Sequence, residues 1–192
     1  MSKSILVCYA TGEGQTAKVA ARVADTLRAA GHEPTVFDLK DAPRDLDVST
    51  YDGVLLGASI HLGKHQDAMV RFARENHERL ATMPSGFFEV CISAATDDPE
   101  RQAEAHRYVD EFREATGWTP DVVGIFGGAF RFTQYGFLKR RLMKRIAADA
   151  TGDTDTSRDF EYTDWDAVTA FAEEFAALVD FDAEPEVGEV AP

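Results

Sequence analysis

The chain has 192 residues, 44% hydrophobic and 28% charged, which suits one domain with its own core and excludes wholesale disorder. Acidic residues outnumber basic ones 34 to 20, and a formal net charge of −14 argues against general nucleic-acid binding, because phosphate backbones would be repelled. No apolar run reaches the roughly 20 residues of a spanning helix and the N-terminus lacks a signal-peptide layout, so a soluble cytoplasmic protein is expected.

Apolar runs and helical stretches then alternate. Ser4–Tyr9 reads as a buried strand, followed by the loop Thr11–Thr16 and a helix from Thr16 to Ala30. In that helix Val19, Val23 and Leu27 share one face, and Gly31 ends it. A second strand lies in Pro34–Leu39 and a third, wholly apolar, in Gly53–Ser59. A helix over 65–80, a fourth strand over 87–94 and a helix over 99–116 follow, with Pro99 suited to a first turn. The fifth strand is expected over 122–130. The last helix begins near Thr163 or Asp164, either of which can cap it, and carries Val168, Phe171, Phe175 and Leu178 inward. This rhythm predicts an α/β fold: a doubly wound five-stranded parallel sheet in the order 2-1-3-4-5, covered on both faces.

Ligands in such sheets bind beyond the carboxyl ends of the strands, beside the switch in strand order. Three loops meet there. The first, Thr11-Gly12-Glu13-Gly14-Gln15-Thr16, combines two glycines, two hydroxyls and a helix N-terminus, the makings of a phosphate socket. It matches neither GxGxxG nor a Walker loop. Glu13 is expected to turn its side chain away while its amide serves. The second loop holds Ser59, Ile60, His61, Leu62 and Gly63, and the third Ser93, Ala94, Ala95 and Thr96. His61 and His65 lack a Cys or carboxylate placed to complete a metal site, so they read as exposed loop histidines. Cys8 and Cys91, inside apolar runs and far apart, read as buried, inert thiols. No Ser-His-Asp or Cys-His constellation assembles.

More than thirty residues, about 131–163, separate the fifth strand from the last helix, longer than a connection requires. From Val122 to Ala148 there is no acid, while Arg131, Lys139, Arg140, Arg141, Lys144 and Arg145 hold six of the twenty bases. Leu138, Leu142 and Ile146 would form one apolar face, with Phe137 and Met143 beside it. A basic amphipathic helix is either an anion- or membrane-binding element or a helix docked on the protein's own acids, and both readings stay open. With 14 Arg, only 6 Lys and abundant acid, the composition also resembles that of salt-adapted proteins.

Val7-Cys8-Tyr9-Ala10-Thr11 with Gly14, Thr16 and Ala20 resembles the flavodoxin signature. That resemblance implies FMN, held at its monophosphate by hydroxyls and amides, with the second loop along the flavin ring and the third closing its other side. Phe126–Ala147 (FGGAFRFTQYGFLKRRLMKRIA), Thr151–Leu178 (TGDTDT…YTDWD…), Gly57–His65 and Ala81–Phe88 are further similar to the menaquinone-dependent protoporphyrinogen IX dehydrogenase family. The family commonly carries Arg-Tyr where this chain has His61-Leu62. The similarity implies a flavodoxin-like FMN-binding domain over 1–180, including the insertion about 131–163; the remaining 181–192, acidic and without periodicity, is expected to be an unstructured tail. It also implies an FMN oxidoreductase that takes electrons from protoporphyrinogen IX to menaquinone or another quinone. Arg131 and the Lys139–Arg145 cluster would meet substrate carboxylates or the inner face of a membrane. The alternatives are a flavodoxin-type electron carrier and a flavin-dependent quinone reductase fed by another donor.

Overall fold

The computed structural model describes residues 1–182. Five long strands form one parallel sheet: β1 (Ser4–Ala10), β2 (Glu33–Asp38), β3 (Gly53–His61), β5 (Ser85–Cys91) and β6 (Val122–Gly127), in the order β2-β1-β3-β5-β6. Every neighbouring pair among them is parallel, so the five-strand order is the one the sequence rhythm predicts. Helices α1 (Gln15–Ala29), α2 (Asp67–Leu80), α3 (Pro99–Thr116) and α5 (Trp165–Asp182) cover it. A parallel sheet is buried on both faces, which is why the strands are near-continuous apolar runs.

Side-chain alternation along the strands divides the core in two. Ile5, Val7, Phe88 and Phe126 meet α1 and α5 through Val19, Val23, Leu27, Phe171 and Phe175. Leu6, Cys8, Leu56 and Phe87 meet α2 and α3 through Met69, Ala73 and Phe112, with Trp118 closing the layer.

Several boundaries differ from expectation. The fourth long strand stops at Cys91, and Ser93–Ala95 form a single tight turn. The expected strand 122–130 breaks after Gly127, where the chain leaves the sheet and β7 (Ala129–Phe130) pairs antiparallel with β8 (Phe160–Glu161). Glycine is required at the break, because a Cβ on Gly127 would sit 2.4 Å from the Tyr162 carbonyl oxygen. A two-residue strand, β4 (Lys64–His65), turns back on β3 through Leu62 (φ 50°) and Gly63 (φ 77°), whose positive φ values suit a tight hairpin. Helix α2 therefore starts at Asp67, not at His65.

The long connection before α5 holds α4 (Phe137–Ala150). A third apolar cluster fastens it: Phe130, Phe132, Tyr135 and Ala147, with Met143, Ile146, Phe160 and Tyr162 packed around them. Helix α5 runs through Phe181 to Asp182, so the first two residues assigned to an unstructured tail are helical. The remainder of that tail, 183–192, lies outside the described residues.

Candidate functional site

Strand β1 ends at Ala10 and delivers the chain to α1 through a loop whose geometry is set by Gly14, the N-cap residue, at φ 88°. No side chain caps α1. Gly14 N–H donates to Thr11 Oγ1 (2.9 Å), which curls the loop back on itself. A Cβ added at Gly12 or Gly14 would meet nothing within 4 Å, so the loop stands open to a ligand. Thr16 is fully buried, yet its hydroxyl has no hydrogen-bond partner among the described residues. Buried hydroxyls are rarely left unpaired, and one orphaned at a helix N-terminus suits an anion acceptor.

Glu13 does turn away. Its carboxylate accepts a hydrogen bond from the Tyr135 hydroxyl and lies 2.8 Å from Lys139 Nζ, which stands over the Tyr135 ring. Gln15 is likewise engaged, donating to Thr163 Oγ1 (2.7 Å) and accepting from Arg131. The phosphate-type loop and the connection 131–163 thus form one polar assembly.

One pocket joins these parts at the carboxyl edge of the sheet. Thr11, Gly12, Glu13, Gln15 and Thr16 form one side. The hairpin residues Ser59, Ile60, His61, Leu62 and Gly63 form another, and the stretch from Val90 to Ser93 forms a third. Phe130, Tyr135, Met143 and Ile146 make an apolar wall, and Arg101, Glu104 and Tyr108 of α3 stand at a polar edge.

A flavodoxin-domain family model matches residues 6–157. The protoporphyrinogen IX dehydrogenase [quinone] of Leishmania major is 35% identical over 181 residues, covering 92% of this chain and 76% of that protein. The chain belongs to this family. The Escherichia coli protoporphyrinogen IX dehydrogenase [quinone] is 32% identical over 175 residues, covering 91% of this chain and 96% of that one. Among solved structures, the flavodoxin of Fusobacterium nucleatum bound to flavin mononucleotide superposes with a TM-score of 0.50 at 13% identity, over 95% of this chain and 99% of that one. The last likeness concerns the fold.

The turn after β5 and the connection before α5 are where expectation and structure differ most. Ala94, Ala95 and Thr96 do not line the pocket. The strand ends at Cys91, and the tight turn leaves Ser93 facing inward while Thr96 borders a neighbouring polar surface with Asp98 and Arg101. The six bases separate into two sets. Arg131 is drawn inward to Gln15, Glu161 (3.0 Å) and Asp159 (3.9 Å), and Lys139 pairs with Glu13. Arg140 donates to the carbonyls of Phe132 and Tyr135, both at 3.1 Å. These three are bound to the protein's own groups. Arg141, Lys144 and Arg145 are exposed and make no ion pair among the described residues.

The apolar face of α4 divides in the same way. Met143 and Ile146 pack on the third cluster, whereas Phe137 (78%), Leu138 (81%) and Leu142 (49%) are exposed. The reason is helical rotation: the Ala147/Ala150 edge is small enough to lie flush against the domain, so the larger residues near the N-terminal end face outward.

Electrostatics distinguish the remaining groups. Burial pushes the Cys8 thiol up to about 12, and burial with the neighbouring Glu89 raises Cys91 as well, so both cysteines stay protonated and unreactive. Burial, reinforced by Glu13, raises Tyr135. His65 departs from its expected exposure. Its side chain is 6% exposed, and Nε2 lies 2.9 Å from Oε2 of the fully buried Glu89. The ring packs against Phe87 and Phe112. Sequence reasoning missed both members of this pair and the α3 edge. The one available signal was Glu89 itself, an acid in the apolar run Phe87–Cys91.

Proposed function

We propose that this protein is an FMN-dependent oxidoreductase that oxidises protoporphyrinogen IX and passes the electrons to a quinone. The names of its relatives support the substrate pair. The observation that supports the reading is the Thr16 hydroxyl, buried at the start of α1 without a partner among the described residues, in a residue that lines the pocket. Thr11, Thr16 and the amides of the Gly12–Gln15 turn would hold the monophosphate. The hairpin 59–63 and the 90–93 stretch would flank the ring. Bound FMN supplies the two-electron redox chemistry that no side chain here can supply. The protein's part is to orient and to keep water out, for which the wall of Phe130, Tyr135, Met143 and Ile146 is suited.

The outward face of α4 supports a peripheral contact with an anionic membrane. Phe137, Leu138 and Leu142 offer apolar surface, and Arg141, Lys144 and Arg145, without an ion pair among the described residues, offer charge to lipid headgroups. The described helices include none long and apolar enough to cross a bilayer.

The test is anaerobic mixing of the FMN-loaded protein with protoporphyrinogen IX, followed by addition of a quinone. Bleaching of the flavin absorbance by the first and its recovery with the second is the expected result. Flavin that dithionite reduces but protoporphyrinogen does not would favour the electron-carrier alternative.

A further inference from the structure

The polar edge of the pocket has no part in holding a flavin phosphate, and its chemistry is specific. Helix α3 places Arg101, Glu104 and Tyr108 at positions i, i+3 and i+7, one face directed at the pocket. The Ser93 hydroxyl donates to Glu104 Oε2 at 2.6 Å, and Tyr108 stands one turn further along the same helix face. The Ser93 bond, with Tyr108, Arg101 and Arg107 adding to it, holds Glu104 below the usual carboxylate range, so it is ionised at neutral pH. Tyr108 is pushed up to about 12, by burial first and Glu104 second, and remains a donor.

The other ionisable groups lining the pocket are unsuited to accept a proton. Glu13 is committed to Tyr135 and Lys139. Cys91 is a protonated thiol, and Arg101 is a cation. His61 stands exposed on the hairpin with no hydrogen bond fixing its ring among the described residues. Glu104 is oriented by the Ser93 hydroxyl, its cations Arg107 (3.5 Å) and Arg101 (3.8 Å) stand farther off than Lys139 does from Glu13, and it is 30% exposed, so a proton it accepts can leave to solvent.

We infer that Glu104 is the proton acceptor of the reaction, taking the pyrrole N–H proton of the tetrapyrrole in the two oxidation steps that release one. This rests on the functional reading above. In each two-electron step a meso C–H bond would break, with its hydride taken up by bound FMN. In two of the three steps the N–H bond of the adjoining pyrrole breaks, its proton goes to Glu104, and a new carbon–nitrogen double bond remains in the macrocycle; in the third the proton comes from the last meso CH2, so that four C–H and two N–H bonds are lost in all. Loss of hydride makes the pyrrole cationic and its N–H strongly acidic, so a carboxylate that is a weak base suffices. Ser93 is the positioning residue for it.

The decisive variant is Glu104→Gln, which keeps shape and hydrogen bonding while removing basicity. FMN content, dithionite reduction and reoxidation by quinone should stay normal, while reduction by protoporphyrinogen IX should fall by about a hundredfold or more. A readout independent of turnover is binding of a water-soluble porphyrinogen with quaternary meso carbons, which offers N–H donors but cannot lose hydride. Glu104→Gln should weaken its binding to the FMN-free protein about tenfold, as expected for loss of a charge-assisted hydrogen bond. Wild-type reduction rate or unchanged probe binding in Glu104→Gln would overturn the assignment, as would a His61→Gln protein that alone loses the reaction. If wild type itself is not reduced by protoporphyrinogen, the functional reading falls with it. A competent wild type with an equally competent Glu104→Gln removes Glu104 alone.

Discussion

His65 Nε2 and Glu89 Oε2 lie 2.9 Å apart beneath the hairpin that lines the pocket, joining two residues that are 24 positions apart and both shielded from water. The second Glu89 oxygen is buried without a partner among the described residues, so this pair has no reserve of hydrogen bonds. His65 ends the hairpin that carries Ser59–Gly63, and Glu89 precedes Cys91 on the pocket wall. The contact therefore couples two sides of the site.

Removing one partner strands the other. His65→Ala should lower stability by about 3–5 kcal/mol, measured by urea unfolding, because a buried polar group loses its only described partner. The double variant His65→Leu/Glu89→Leu should recover most of that loss, since apolar replacement of both members removes the desolvation cost. Equal losses in the single and double variants would show that the pair contributes nothing specific.

Thr16 offers a test in which stability and binding move apart. Thr16→Val preserves shape and deletes a buried hydroxyl that has no partner among the described residues, so the FMN-free protein should be unchanged or slightly more stable. FMN affinity should nevertheless fall roughly ten- to a hundredfold, the value of one charge-assisted hydrogen bond to phosphate. Fluorescence titration with FMN measures it, and an unaltered affinity would place the phosphate elsewhere.

The two sets of bases should behave oppositely. Arg141→Glu/Arg145→Glu changes exposed charges that make no ion pair among the described residues, so the melting temperature and FMN content should hold while binding to anionic vesicles is lost. Arg140→Ala should destabilise the protein by roughly 1–3 kcal/mol, because two carbonyls lose a charged donor. Vesicle sedimentation and thermal melting of the two variants separate these roles.

Acid should loosen the connection before α5. The Thr133 backbone N–H, with smaller contributions from its hydroxyl and Arg131, lowers the Asp159 carboxyl below its ordinary value. A carboxyl lowered in the folded state gives stability that is present above its unfolded value, near pH 4, and is lost as pH falls through the folded value. Melting temperature against pH should therefore drop below about pH 4. Asp159→Asn should flatten that drop and start from a lower stability at neutral pH.

Salt should stabilise the chain as a whole. A net charge of −14 repels itself more when folded than when unfolded, so melting midpoints should rise from low to molar salt. A flat or falling midpoint would show that local ion pairs such as Lys18–Glu161, weakened by the same screening, outweigh the net repulsion.

The sequence by itself determined the strand order, the helices between the strands and the position of the Thr11–Thr16 loop. Those features follow from local causes: apolar runs long enough for buried strands, four-residue periodicity in α1, and glycines at the turn. It also marked the acid-free stretch around α4. Only the tertiary structure decided which of those bases are consumed. Lys139 lies 126 residues from Glu13, and Arg131 lies 116 from Gln15, separations at which no periodicity reports proximity. The same holds for His65 with Glu89 and for Glu104, whose face of α3 reads as ordinary helix surface until Ser93 is brought against it. Charge and polarity are written along the chain, but whether a group is paired, buried or left free depends on which distant segment the folded sheet places beside it.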